Sequence, residues 1–288
     1  MSFAWTKAQK LATIATGVFS GFATYYIVDQ RQIRAHASWT TNWKPSDCGK
    51  WDDNWDHRDP KSLVKPLKEN ADAEAQKHYE EKLAKLKPKA VRHIIMIRHG
   101  QYYLNGKTDA ERVLSPMGKE QATFTGARLN SLTIPWDSMI MSTMTRAQQT
   151  GELIAKELGQ NIPIEHCSLI EEGAPIPPEP AVGHWRPEPQ QFFQDGARIE
   201  AAFRKYFHRA EPEQQVDSYT LMVCHANVIR YFVCRALQFP PEAWLRLSLN
   251  HASITWVSIT ATGRVILRTF GDSGHIPPAF VSSSNVNK

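Results

Sequence analysis

From Val91 onward, short apolar runs alternate with longer amphipathic segments, and few fold classes accommodate that order. Four apolar runs predict strands: Ile94–Ile97, Ser138–Met141, Thr220–Cys224 and Ile254–Ile259. The segments between them have helical periodicity: residues 116–130, 144–158, 189–208 and 226–237. Such alternation is typical of an α/β fold, a three-layer sandwich with a mainly parallel sheet flanked by helices. We expect this domain over residues 91–276, with 277–288 as a tail.

Composition excludes several other classes of protein. Hydrophobic residues make up 42% of the 288 residues and charged residues 22%, as in ordinary globular proteins. The net charge of +5 comes from interspersed basic and acidic residues, so no nucleic-acid partner is expected. The four cysteines lack CxxC spacing and the eleven histidines form no HExxH motif. We therefore expect no disulfide framework, no metal and no cofactor.

Near the start of the chain, residues 11–28 are 18 residues without a charge. As a helix rising about 1.5 Å per residue they would cover roughly 27 Å, which is close to the thickness of a bilayer core. Gly17 and Gly21 have the spacing of small residues that pack membrane helices together. The segment therefore predicts a single transmembrane anchor.

Two alternatives to an anchor are weaker. A secretory signal peptide needs a small-residue cleavage site just after the apolar run. The nearest candidate, Ala35-His36-Ala37, lies beyond three charged residues. A buried core helix would show a repeating polar face, and residues 11–28 show none. Basic residues flank both ends of the segment, so charge does not define its orientation.

Residues 29–90 are predicted to be a polar linker containing a helix over residues 70–87. Within the linker, residues 51–56 form an aromatic and acidic cluster. One interpretation is a segment folded onto its own domain. The other is a motif that docks on another subunit, because tryptophan is a favoured interface anchor. The second predicts a homo-oligomer held through Trp51, Asp52, Asn54, Trp55 and Asp56.

Three polar groups of residues stand where chemistry is expected in an α/β fold. The first predicted strand ends in Arg98-His99-Gly100. An arginine binds phosphate oxygens with a fork of donors, glycine permits close approach, and histidine can attack phosphorus. The second strand is followed by Ser142–Thr150, which places Arg146 at a helix N-terminus, where anions are favoured. The third strand ends at a second histidine, His225.

In this order, the three groups resemble the histidine phosphatase (phosphoglycerate mutase-like) superfamily. Residues 195–200, 235–241 and 51–56 further resemble its mitochondrial serine/threonine-protein phosphatases. The resemblance implies a membrane-anchored mitochondrial enzyme that acts on phosphoproteins, with the outer membrane favoured and the inner membrane possible. It also implies a phospho-histidine intermediate and little or no mutase activity.

The resemblance also implies roles for individual residues. His99 would be the nucleophile, and Arg98, Arg146 and His225 would hold the phosphoryl oxygens. An acid just before a glycine, here Glu172, would be the general acid and base, with Glu171 as the alternative.

The sequence departs from the mutases of the superfamily in two ways. Tyr102 stands where mutases have a serine that contacts phosphate, while Asn105 keeps the later polar position and is a candidate phosphate contact. The loop 174–180 is rich in proline and has no cation to clamp a small carboxylate. These features favour a protein phosphatase. Two alternatives remain: a small-molecule phosphatase or mutase, and a membrane-tethered scaffold with incidental catalysis.

Overall fold

The computed structural model describes residues 50–183 and 185–284, and within them six strands form one mixed sheet. The strands are β1 (Arg92–Arg98), β2 (Ser138–Ser142), β3 (Ile164–Cys167), β4 (Ser218–Cys224), β5 (Ile254–Ile259) and β6 (Val265–Asp272). Their order in the sheet is β3-β2-β4-β1-β5-β6. The first four in that order run parallel, whereas β5 is antiparallel to both of its neighbours.

Helices cover both faces of the sheet. The helices of the described residues are α1 (Pro60–Leu63), α2 (Ala73–Leu86), α3 (Pro116–Ser131), α4 (Thr145–Leu158), α5 (Pro189–Tyr206) and α6 (Ala226–Ala236). Of these, α3 to α6 pack on the sheet. Successive strand residues point to opposite faces, so in β1 Ile94 joins a core with α5 and α6. Its neighbour Ile95 joins a second core with α3 and α4. The structure therefore has the three layers that the sequence predicts.

Local signals explain where several helices begin and end. The Ser115 side chain caps α3 by accepting a hydrogen bond from Gly118 N at 3.1 Å, and proline occupies the first turn. Asp72 caps α2 by accepting from Ala75 N at 2.8 Å. Helix α4 ends at Gly159, which is left-handed with φ +61°.

The sheet departs from the predicted one at its two edges. The alternation of apolar runs missed β3, which has three exposed residues of four, and β6, which is mostly half-buried. Edge strands exposed to solvent carry no continuous apolar run, so periodicity does not identify them. Strand β6 returns antiparallel to β5 through a short turn in which Thr260 N donates to Arg264 O.

The cluster of residues 51–56 contacts its own chain. Trp55 Nε1 donates to Gly263 O at 2.8 Å, and its ring lies 6.0 Å from that of Phe203. Asp56 forms a fully buried ion pair with Arg209 at 2.9 Å. Trp51, by contrast, is 39% exposed. Residues from Trp51 onward thus belong to one compact unit with the α/β fold.

The predicted anchor, residues 11–28, lies outside the described residues, as do residues 29–49 of the predicted linker and the tail residues 285–288. Among the helices of the described part of the chain, none is both long and apolar enough to cross a membrane.

Candidate active site

Parallel pairing of β1 with β4 brings the two strand-end histidines together. Arg98 pairs with Cys224 in the register, and His99 N donates to Cys224 O at 3.0 Å. The next residue on each strand therefore lies at the same edge of the sheet, and the rings of His99 and His225 are 5.1 Å apart between centroids. Both histidines are buried. The structure thus joins two motifs that are far apart in the sequence.

Hydrogen bonding fixes which nitrogen of His99 can act as a nucleophile. Its Nδ1 lies 2.8 Å from Gly100 O, and a carbonyl oxygen can only accept, so Nδ1 carries the proton. The Nε2 atom then holds a lone pair. Burial lowers the pKa of His99 well below 6.5, and the nearby His225, Arg146 and Arg98 lower it further. The imidazole is therefore neutral at physiological pH.

Gly100 is required by the packing of the backbone around His99. A Cβ atom at this position would collide with the carbonyl oxygen of Gly118 at the start of α3. Gly100 N also donates to Thr150 Oγ1 of α4 at 3.0 Å. The glycine of the motif thus lets α3 approach the strand end, which holds His99 in place.

Three buried side-chain nitrogens close to His99 have no hydrogen-bond partner among the described residues. They are Arg98 Nε, Arg146 Nε and His225 Nδ1. Burying such groups without an acceptor is costly unless a ligand satisfies them. His225 keeps its ring orientation through a hydrogen bond of 2.8 Å between its Nε2 and Ser142 Oγ. Two guanidinium Nε–H groups without acceptors, together with an unpaired imidazole nitrogen, fit an anion with several oxygens, such as a phosphoryl group.

Neighbouring side chains hold Arg146. Its Nη1 lies 3.4 Å from Asp109 Oδ1, and its guanidinium stacks 4.6 Å from the centre of the Tyr102 ring. Asp109 Oδ2 also accepts from Thr145 N at 2.7 Å, which satisfies a donor at the start of α4. One carboxylate therefore caps the helix and orients the cation on it.

Glu172 faces the cations of the site. Burial raises its pKa above 4.5, while the charges of Arg146, Arg98 and Arg230 act to lower it. Gly173 N donates to Glu172 Oε1 at 3.3 Å. The carboxylate of Glu171, by contrast, accepts a hydrogen bond from Thr143 Oγ1. Of the two adjacent acids, Glu172 has the environment of a carboxyl group that can carry a proton at the site.

Sequence reasoning missed three residues of this group. Asp109 lies 37 positions before Arg146, and His251 contacts Arg98 across 153 positions. Arg230 has a buried Nε without a partner in the described part of the chain, and its charge acts on Glu172. No local pattern marks Asp109 or His251, but Arg230 lies one helical turn beyond the strand-end His225. Asn105 lies in an exposed turn, and its contact with phosphate stays a prediction.

In residues 50–183 and 185–284, no group of three or more histidine, cysteine, aspartate or glutamate side chains is arranged to hold a metal ion.

The fold and the site define a histidine phosphatase. The family model described as histidine phosphatase superfamily (branch 1) matches residues 94–174 and 179–271. The chain belongs to this superfamily.

Relatives with similar sequences have a more specific name. "Serine/threonine-protein phosphatase Pgam5, mitochondrial" of Drosophila grimshawi is 53% identical over 279 residues, which cover 96% of each chain. The protein of the same name from Drosophila pseudoobscura pseudoobscura is 54% identical over 273 residues, covering 93% of this chain and 94% of the relative. Among solved structures, a phosphoglycerate mutase from Plasmodium falciparum is 30% identical with a TM-score of 0.47, covering 66% of this chain and 96% of the mutase.

Proposed function

We propose that this chain is a mitochondrial serine/threonine-protein phosphatase that works through a phospho-histidine on His99. One observation carries the proposal: the buried His99, whose Nε2 holds a lone pair, lies close to three buried nitrogens of Arg98, Arg146 and His225 that have no partner among the described residues. The names of the relatives support phosphoserine and phosphothreonine proteins as substrates and mitochondria as the location.

In the first half-reaction, His99 Nε2 attacks the phosphorus atom of the substrate in line with the departing serine or threonine oxygen. The N–P bond forms as the P–O bond breaks. Arg98, Arg146 and His225 donate to the non-bridging oxygens, and protonated Glu172 transfers its proton to the leaving oxygen. The products are a dephosphorylated side chain and phospho-His99.

In the second half-reaction, the Glu172 carboxylate takes a proton from a water molecule that attacks the same phosphorus. The new O–P bond forms, the N–P bond breaks, and inorganic phosphate leaves. His99 regains its lone pair and Glu172 its proton, so the enzyme returns to its starting state. The proposed reaction requires no metal.

The rim of the site supports a protein substrate over a small acid. The loop 174–180 has no cation that could bind the carboxylate of a phosphoglycerate. Beyond the loop, the apolar side chains of Val182 and Phe193 are 45% and 80% exposed. Exposed apolar side chains suit contact with the residues that flank a phosphorylated side chain in a protein.

The membrane anchor at residues 11–28 belongs to the same proposal, with the outer mitochondrial membrane favoured. So does a homo-oligomer that uses residues 51–56. Two copies could exchange the contacts that Trp55 and Asp56 make within one chain, because exchange of identical elements is a low-cost route to assembly.

The Trp51→Ala and Trp55→Ala variants test assembly, since Trp51 is exposed whereas Trp55 is bonded to Gly263. We expect both variants to sediment as smaller species than the wild type. Unchanged size and activity in both would contradict this part of the proposal.

The activity is tested by comparing phosphate release from a phosphothreonine peptide with the conversion of 3-phosphoglycerate, both in the presence of EDTA. We expect peptide hydrolysis that is lost in a His99→Ala variant. Mutase activity without peptide hydrolysis would overturn the proposal and favour the small-molecule alternative. Assembly without turnover of either substrate would favour a scaffold.

A further inference from the structure

His251 is fully buried just before β5, and the sequence gives it no chemical role. In the structure its ring centroid lies 5.7 Å from that of His99. Its Nε2 lies 2.9 Å from Nη2 of Arg98. A buried histidine thus contacts a phosphate-binding candidate directly beside the proposed nucleophile.

The partners of His251 define its tautomer. A guanidinium nitrogen can only donate, so His251 Nε2 must hold a lone pair. Nδ1 then carries the proton, and it lies 2.9 Å from Ser282 Oγ, which can accept. His251 N donates to Ser282 O at 2.8 Å. Two hydrogen bonds that His251 donates to Ser282 in the C-terminal segment therefore hold the histidine so that its acceptor faces Arg98.

Three acceptors of the protein bind the two Nη atoms of the Arg98 guanidinium. Nη1 donates to Leu249 O at 2.6 Å, and Nη2 donates to His251 Nε2 and, at 3.2 Å, to Ser283 O. His251 is the side chain in this set, and the other two acceptors are backbone carbonyls. Within residues 50–183 and 185–284, the buried Nε–H of Arg98 has no partner. Because these hydrogen bonds hold the two Nη atoms, they also determine the direction of the free Nε–H.

We propose that His251 is a positioning residue for phosphate binding, which holds Arg98 so that its free N–H groups meet the phosphoryl oxygens. His251 touches neither substrate nor phosphorus. A neutral imidazole suits this task, because it accepts a hydrogen bond without neutralising the guanidinium as a carboxylate would. The proposal rests on the role proposed for Arg98 above.

Loss of the His251 acceptor leaves Nη2 of Arg98 with one long hydrogen bond, so the guanidinium gains freedom to turn away from the anion. Phosphate binding then weakens although Arg98 keeps its charge. A His251 substitution should therefore weaken phosphate binding only when Arg98 is present. A general loss of stability would weaken binding whether or not Arg98 is present. Contacting residues that act on one group give non-additive effects in a double-mutant cycle.

The test uses the full chain and inorganic phosphate as the probe, with the dissociation constant measured by calorimetry. The variants are His251→Ala, His251→Gln, Arg98→Ala and the double variant His251→Ala with Arg98→Ala. His93→Ala is the matched control, because His93 is also buried and bonded to a serine, Ser258, at 2.8 Å, but lies at the other end of β1. Thermal unfolding of every variant reports the folded fraction.

We expect His251→Ala to raise the dissociation constant roughly tenfold, as for loss of a hydrogen bond to a charged group. We expect His251→Gln to recover part of the affinity, because its amide oxygen can accept from Arg98, and His93→Ala to bind like the wild type. In the Arg98→Ala background, the His251→Ala substitution should change little. KM for p-nitrophenyl phosphate should rise more than kcat falls.

Unchanged affinity in His251→Ala, or effects of His251→Ala and Arg98→Ala that simply add, would overturn the inference alone. Unchanged affinity in Arg98→Ala would show that Arg98 does not bind phosphate. That result would overturn the assigned role of Arg98 in the proposed function, and this inference with it.

Discussion

Glu171 and Glu172 are adjacent in the sequence, yet their carboxyl groups have different partners. Glu171 accepts from Thr143 Oγ1, whereas Glu172 lies within the electrostatic influence of Arg146 and Arg98 and has a raised pKa. The backbone between them thus turns one acid toward a structural hydroxyl and the other toward the cations. This difference makes the pair a built-in control for the role of the general acid.

We expect Glu172→Gln to lower kcat for a phosphothreonine peptide by about 10² to 10⁴-fold, the usual contribution of a positioned acid. The loss should be much smaller for p-nitrophenyl phosphate, whose leaving group needs little protonation. Glu171→Gln is the matched variant and should retain most activity with both substrates. Equal losses with both substrates in Glu172→Gln would argue against proton transfer by this residue.

The two shifted pKa values also set the pH dependence of kcat/KM. His99 must be unprotonated to attack, and burial lowers its pKa well below 6.5, so activity should persist in weakly acidic solution. Glu172 must be protonated, and burial raises its pKa above 4.5, so activity should fall as rising pH removes that proton.

The measurement is a pH profile with phosphothreonine peptide, corrected for the second ionisation of the substrate at about pH 6. The fall on the alkaline side should disappear in Glu172→Gln. An acid-side midpoint near the ordinary histidine value of about 6.5 would contradict a neutral, buried His99.

Asp109 joins the N-terminus of α4 to Arg146, and its loss should affect both. We expect Asp109→Ala to destabilise the fold by about 1 kcal/mol through the lost cap and to raise KM because Arg146 loses its orienting partner. Asp72→Ala is the control, since Asp72 caps α2 through Ala75 N without contacting the site. Thermal unfolding measures the loss of the helix cap, and steady-state kinetics measure the change in KM. A KM that rises equally in Asp109→Ala and Asp72→Ala would show that Asp109 acts as a helix cap and does not orient Arg146.

The buried ion pair of Asp56 with Arg209 joins the segment 51–56 to the α/β fold. Asp56→Asn leaves the Arg209 charge uncompensated, which should cost about 3 to 5 kcal/mol in the free energy of unfolding. Burial acts to raise the pKa of Asp56, but hydrogen bonds from Arg209 hold it below 3.8. Its stabilisation is therefore present above pH 3.8 and lost as pH falls through the lower folded value.

Denaturant unfolding at neutral pH measures the cost, with Asp53→Asn as the exposed control. If the two variants unfold alike, the ion pair contributes nothing to the stability of the fold.

The sequence predicts the central part of the fold well, for a physical reason. Strands β1, β2, β4 and β5 are buried and read as continuous apolar runs, whereas the edge strands β3 and β6 do not. The motif residues His99, Arg146 and His225 follow from strand ends and a helix start. The distances between these residues follow from the strand register, which the sequence pattern does not define.

The sequence does not predict the residues that act by positioning other side chains. Asp109 lies in a short 3₁₀ turn and His251 in the loop before β5, and neither belongs to a periodic element whose pattern could place it. Their partners, Arg146 and Arg98, come from distant parts of the chain. Only the tertiary fold makes these pairs.

The central claim is that phosphate passes through His99, and trapping the intermediate tests it most directly. The full chain is mixed with a phosphothreonine peptide carrying labelled phosphate, with EDTA present, and the reaction is stopped in alkali within milliseconds. Mass spectrometry then locates the label. Matched reactions use His99→Ala and His93→Ala. We predict an acid-labile label on the fragment containing His99, present in His93→Ala and absent in His99→Ala. Peptide hydrolysis that continues in His99→Ala, with no label on the enzyme, would contradict the account.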